Sequence, residues 1–177
     1  MEETLPPKDK HCLTAAIGWL ELKAPQEALL ELDATAREAT RESSFFLDIQ
    51  WRAYAALSRW RDSLVVAEKL HTLAPETAMS WIHLSYSLHE LGETTQARAN
   101  LLEAAIRFPR DGAIAYNIAC YENRLDRPTE ALRWLSRAIN RVGKKEILQM
   151  AESDPDLESL WPTIREMKDA DTKSESS

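Results

Sequence analysis

"WIHLSYSLHELGETTQARANLLEAAIRFP", residues 81–109, holds two stretches of helical periodicity, parted by Gly92 and closed by Pro109. Trp81, Leu84 and Leu88 line one face of the first stretch, and Ala97, Leu101 and Ala104 one face of the second. Gly92 ends the first helix by permitting a left-handed backbone. Pro109 ends the second, because proline lacks a backbone donor and clashes with the preceding turn. The small residue Ala97 falls where the second helix would face the first. Antiparallel helices joined by a short turn approach closely only where one presents a small side chain. A larger residue there would overpack the contact at roughly 1–3 kcal/mol. One such pair leaves an apolar face uncovered, so neighbouring pairs must stack on it.

The unit returns. At a period of 34, Ala97 is matched by Ser63 and Ala131, and Leu91 by Leu57 and Leu125. Pro109 is matched by Pro75 before it and Gly143 after it, both helix stoppers. Ala28 and Leu22 precede Ser63 and Leu57 by 35, a weaker opening copy. The first helix drifts: Trp81, Leu84 and Leu88 become Leu47, Gln50 and Tyr54 upstream, and Ala115, Ile118 and Glu122 downstream. A fixed period of this size predicts an all-α array of stacked helix pairs.

The pattern places helices at 9–22 and 26–42, 45–57 and 61–73, 78–91 and 94–107, and 112–125 and 128–141, with a further helix at 144–152. The repeats are therefore 9–43, 44–77, 78–111 and 112–143. Asp154 caps a turn with Pro155 at its first helical position. Pro162 biases Trp161 out of the helical region, which predicts a break there. A last helix at 162–169 would pack Trp161, Ile164 and Met167 on the final repeat, so 144–169 forms a helical cap. Residues 1–8 and the polar 170–177 are expected to be disordered.

Composition agrees with a globular helical protein. Of 177 residues, 44% are hydrophobic and 29% charged, and only 4 are Gly. The net charge of −7 argues against nucleic-acid and anionic-membrane partners. Cys12 and Cys120 form no CxxC motif, so neither a disulfide framework nor a zinc site is expected. The opening "MEETLPPKDK" leads into no apolar run, and no stretch is as long as a membrane span, so a cytoplasmic location is expected.

Catalytic chemistry finds no support. His83 and His89 are six apart on one helix, which puts them on different faces, and His11 and His71 stand elsewhere. Cys120 has no base nearby in sequence that would mark a nucleophile, and His11, beside Cys12, reads as a packing or surface residue. There is no Gly-rich phosphate loop. No enzyme activity, cofactor or metal is expected.

The run Trp81, Leu84, Ser85, Leu88, Ala97, Leu101, Ala104 and Pro109 resembles the tetratricopeptide repeat, whose pattern runs Trp, Leu-Gly, Tyr, Ala, Phe, Ala, Pro. Ser85 stands where the family usually has Gly, and Leu88 and Leu101 stand where it favours aromatics. The copy at 115–139 is similar, with Ala119 at the small position of its first helix. The copy at 44–77 departs most, because Trp51 takes that position and would hold its helix further from its partner. "DPDLESLW", residues 154–161, looks like the closing segment of some short bacterial arrays. The resemblance implies a superhelix of stacked antiparallel helix pairs with a C-terminal cap.

It also implies that successive first helices line a concave groove. Those positions are Asp48, Arg52 and Ala55, then Ile82, His83, Tyr86 and His89, then Ala113, Tyr116, Asn117, Cys120 and Asn123. Rings offer area at low entropic cost and amides bond a peptide backbone, which suits an extended peptide. Tyr86 and Tyr116 lie 30 apart, four short of the repeat, which suits an oblique ligand. The carboxylate clamp of chaperone-associated members is absent, since Leu13, Ile17, Asp48, Arg52, His83 and Asn117 include only one cation. The expectation is a protein-interaction adaptor or scaffold, monomeric or weakly dimeric, that binds a protein or extended peptide. A dedicated chaperone of a secreted or assembling partner is the alternative, and an enzyme with a site assembled across helices ranks below both.

Overall fold

The computed structural model describes residues 6–35 and 37–174, with side chains as far as residue 168. Among these are eleven α-helices, one 3-10 segment and no strand. They fall into two compact units divided between Leu91 and Gly92.

The first unit holds α1 (Pro7–Glu21), α2 (Pro25–Asp33), α3 (Glu38–Arg41), α4 (Ser44–Ala56), α5 (Trp60–Leu73) and α6 (Ala78–Glu90). Helix α1 packs on α2, α4 on α5, and α6 on α5, while α4 also meets α1 and α2. Leu13, Ala16, Ala28, Leu32, Ile49, Ala53, Val66, Ala67 and Leu70 form the core between them. Ser43 caps α4 by accepting from the Phe46 N–H at 3.2 Å.

The second unit holds α7 (Thr94–Arg107), α8 (Gly112–Arg124), α9 (Pro128–Val142), α10 (Lys144–Ala151), the 3-10 segment (Pro155–Leu160) and α11 (Trp161–Ser174). Helix α8 packs on α7, α9 and the 3-10 segment, and α10 packs on α9 and α11. The boundary between the units falls in the turn at Gly92, inside the expected repeat 78–111.

The repeat has a physical basis in two sets of positions. Ala28, Ser63, Ala97 and Ala131 are all 0% exposed, so the small residues sit at full burial. Lys23, Ser58, Gly92 and Asp126, each one residue after the matched leucines, all have positive φ (58°, 54°, 88° and 57°). The next N–H in three of these turns reaches back five residues: Ala24 to Trp19 at 2.8 Å, Arg59 to Tyr54 at 2.9 Å and Arg127 to Glu122 at 2.9 Å. That is the left-handed helix terminus a glycine usually supplies, here built mostly without one. Ala74 and Phe108, before Pro75 and Pro109, share one non-helical conformation, with φ −134° and −120°.

Eight of the helices start and stop within about two residues of the sequence expectation, and the exceptions are informative. Helix α2 ends at Asp33 instead of running on to 42. The chain turns away and re-enters helix as α3, so that the Thr40 hydroxyl donates to the Asp9 carboxylate at 2.7 Å in a buried contact. Arg41 secures the bend, donating to the carbonyls of Thr35 and Asp33 at 2.9 and 2.8 Å.

The expected break at Trp161 does not occur, since that residue is helical (φ −52°, ψ −40°) despite the following proline. Its indole donates to the Ala151 carbonyl at 3.0 Å and Ile164 is fully buried, so packing overrides the local bias. Met167 is half-buried, and α11 runs on to Ser174 where disorder from 170 is expected. Helix α1 likewise begins at Pro7, inside the stretch expected to be disordered, while residues 1–5 and 175–177 lie outside the described residues. Helices α4 and α5 meet less extensively than α8 and α9, as Trp51 in place of Ala119 predicts.

Candidate functional site

In the first unit the expected positions lie on α4 and α6. Spacings of three and four along α6 bring Ile82, Tyr86 and His89 toward one face. The two helices are joined by polar and ring contacts. His83 Nε2 and Asp48 Oδ1 are 2.8 Å apart, and Arg52 Nη1 lies 3.9 Å from Asp48 Oδ2. The His83 ring stacks on Trp51 with centroids 3.6 Å apart and an interplanar angle of 10°. Trp51 Nε1 donates to Ser87 Oγ at 2.9 Å, and Ser63 Oγ lies 3.1 Å from the same atom.

This arrangement sorts the expected residues. His83 is buried at 4% exposure and serves packing, because its ring is sandwiched into the α4–α6 contact. Arg52 is exposed, and Ile82, Tyr86 and His89 are half-buried. Tyr86 and Trp51 meet edge to face with ring centroids 6.1 Å apart, and the Tyr86 ring lies 5.7 Å from that of Trp60. Trp60, half-buried at the start of α5, therefore belongs to the same aromatic group. The groove register missed it because it counts first-helix positions only. A tryptophan immediately after the turn was the available signal.

In the second unit the expected residues stand on α8, and the chain's own closing segment lies on them. Tyr116 donates its hydroxyl to Asp154 Oδ2 at 2.8 Å, and Cys120 Sγ lies 3.5 Å from the same oxygen. Asn123 donates to the Asp156 carbonyl at 2.7 Å and accepts from Ser159 Oγ at 2.9 Å. Arg124 Nε is 3.5 Å from Asp156 Oδ1. Leu157 and Leu160 are buried beneath. Asn117 instead bonds the Ala113 carbonyl of its own helix at 2.8 Å. Tyr116 and Cys120 are consequently buried, and a ligand could reach them only if this segment moved away.

Burial, first of all, pushes the Tyr116 phenol above its ordinary range; repulsion from Cys120 where that thiol ionises, the hydrogen bond to Asp154 and the charges of Asp154 and Asp156 add to it. Burial also pushes the Cys120 thiol up, and Asp154 and Asp156 add to it. A thiol held protonated is a weak nucleophile and a weak metal ligand.

Glu122 occupies the position that Leu88 and Tyr54 take in the two preceding copies, and it is 1% exposed. Its carboxylate is held by Arg98 Nε at 2.6 Å, with Arg127 Nη1 at 3.7 Å. A buried charge requires such partners. Among the described residues no group of three or more His, Cys, Asp or Glu is placed to hold a metal ion, and no helix is long and apolar enough to cross a membrane.

No family model and no curated protein matches the chain. Solved structures do. The chain is similar to a double mutant of MamA from RS-1 at a TM-score of 0.70 and 17% identity, over 98% of this chain and 100% of that one. It is similar to a MamA chain from Desulfovibrio magneticus RS-1 at 0.70 and 17%, over 94% and 98%. It is also similar to a thermophilic TPR protein of Thermus thermophilus at 0.54 and 16%, over 88% and 98%. The fold is therefore all-α and of the tetratricopeptide type.

Proposed function

On this tetratricopeptide-type fold, we propose a non-enzymatic protein-interaction module, an adaptor or scaffold that takes an extended peptide on its first-helix faces. In the first unit Arg52, Ile82, Tyr86 and His89 offer the contacts, with Trp60 extending the aromatic surface. In the second unit Asn117 stands beside the covered residues Tyr116, Cys120 and Asn123. One observation carries the reading: α8 already holds another stretch of polypeptide, the 3-10 segment with Asp154 at its start, Asn123 bonding its main chain and Tyr116 the Asp154 carboxylate. The same combination of rings and polar side chains would serve a peptide from elsewhere.

The test begins with a partner identified by affinity capture and mapped to a peptide. Tyr86→Ala should weaken that peptide by about tenfold or more, as loss of an anchoring ring does. Glu103→Ala, an exposed control on α7, should leave affinity unchanged. Wild-type affinity in Tyr86→Ala together with a loss in Glu103→Ala would move the site to the second-helix side.

A further inference from the structure

Helix α2 has 9 residues, whereas α5 has 14 and α9 has 15. The shortfall against α5 is about 7.5 Å of helix at 1.5 Å per residue. Where α2 stops, a cleft of about 800 Å³ opens between its end, α3, α4 and α5. Its apolar lining includes Leu32, Phe46 and Leu47, together with Val65 and Leu73, which are 53% and 50% exposed. Val65 and Leu73 thus stand exposed on the wall of the cleft, beside the buried Leu32, Phe46 and Leu47.

The charge around the cleft is mixed but net negative. Asp33, Glu38, Glu42 and Glu68 line it, against Arg41 and Lys69. Arg41 is already engaged with the carbonyls of Thr35 and Asp33. A cationic occupant gains from the carboxylates, while an acidic one would be repelled. A second copy of this chain is disfavoured for the same reason, since it carries a net charge of −7. The five residues by which α2 falls short of α5 amount to about one and a half turns of helix.

We propose that this cleft docks a short basic amphipathic helix from a partner protein. Its apolar residues cover Val65 and Leu73, and its Lys or Arg residues meet Glu38, Glu42 and Glu68. The occupant restores the helical layer that α2 leaves short. This surface is separate from the first-helix faces, so the two readings stand or fall independently.

The test pans a random dodecapeptide display library on the full chain and measures the selected peptide by fluorescence anisotropy. Enriched peptides should carry Lys or Arg flanking an apolar pair at helical spacing. They should bind Glu42→Lys/Glu68→Lys and Leu73→Glu about tenfold more weakly than wild type, as loss of a central contact does. Tyr86→Ala should bind them normally. Circular dichroism confirms that the exposed substitutions leave the fold intact. The proposal is overturned by no enrichment, by acidic or uncharged peptides, or by affinity that ignores both cleft variants. It is equally overturned if wild type dimerises in sedimentation and Leu73→Glu abolishes the dimer, since a second copy would then fill the cleft.

Discussion

Trp51 Nε1 donates to Ser87 Oγ at 2.9 Å, which joins α4 to α6 through a hydroxyl that also meets Ser63. A tryptophan at a position the repeat reserves for a small residue is tolerated because its polar edge is satisfied and its face is covered by His83. Ser87→Ala would leave the indole N–H without its acceptor. The expected loss is about 1–3 kcal/mol in urea unfolding. Trp51→Phe in the Ser87→Ala background should cost less than Trp51→Phe alone, because the hydrogen bond is already gone. Additive losses would show that the two residues are not coupled.

The turns offer a gain in stability. Ser58 has φ 54°, a left-handed backbone that costs a non-glycine residue roughly 1–2 kcal/mol. Glycine relieves that strain but loses more freedom on folding. Ser58→Gly should therefore stabilise the protein by a few tenths to about 1 kcal/mol, read as a higher denaturation midpoint at unchanged slope. Asp126→Gly should gain less, because Asp tolerates this region better than Ser. A lower midpoint for Ser58→Gly would contradict the account.

Gly112 fails in the opposite direction. A β-carbon on it would collide with Val142 Cγ2 and crowd Arg141 Cβ at 3.2 Å. Gly112→Ala should destabilise by about 1–3 kcal/mol through overpacking. Val142→Ala should recover part of that loss in the double variant. No recovery would place the strain in the backbone instead of this contact.

The fold type was legible because its signal is local and repeated. Ala28, Ser63, Ala97 and Ala131 announce close helix contacts, and the leucines at 34-residue spacing announce the turns. The early end of α2 was not legible, since neither Gly nor Pro marks it and the Asp9–Thr40 contact that rewards the bend spans 31 residues. The covering of α8 was hidden for the same reason: Tyr116 and Asp154 are 38 residues apart. His83 read as a groove residue because helical register gives its direction but not the Trp51 ring stacked upon it.

The Tyr116–Asp154 contact gives stability a pH dependence. Burial, then neighbouring negative charge, raises the phenol above its unfolded value of about 10. The folded state therefore keeps its proton more firmly than the unfolded chain. The resulting stability is fully present below about pH 10 and is lost as pH rises beyond it. Denaturation midpoints should fall through this alkaline range in wild type and fall less steeply in Tyr116→Phe. Phenolate absorbance, taken as the difference between wild type and Tyr116→Phe, should show Tyr116 titrating late or only on unfolding. Asp154→Asn removes a charge but not the burial, so it should advance that titration only in part. A Tyr116 phenol that ionises at the unfolded value would mean that the closing segment does not cover α8 in solution.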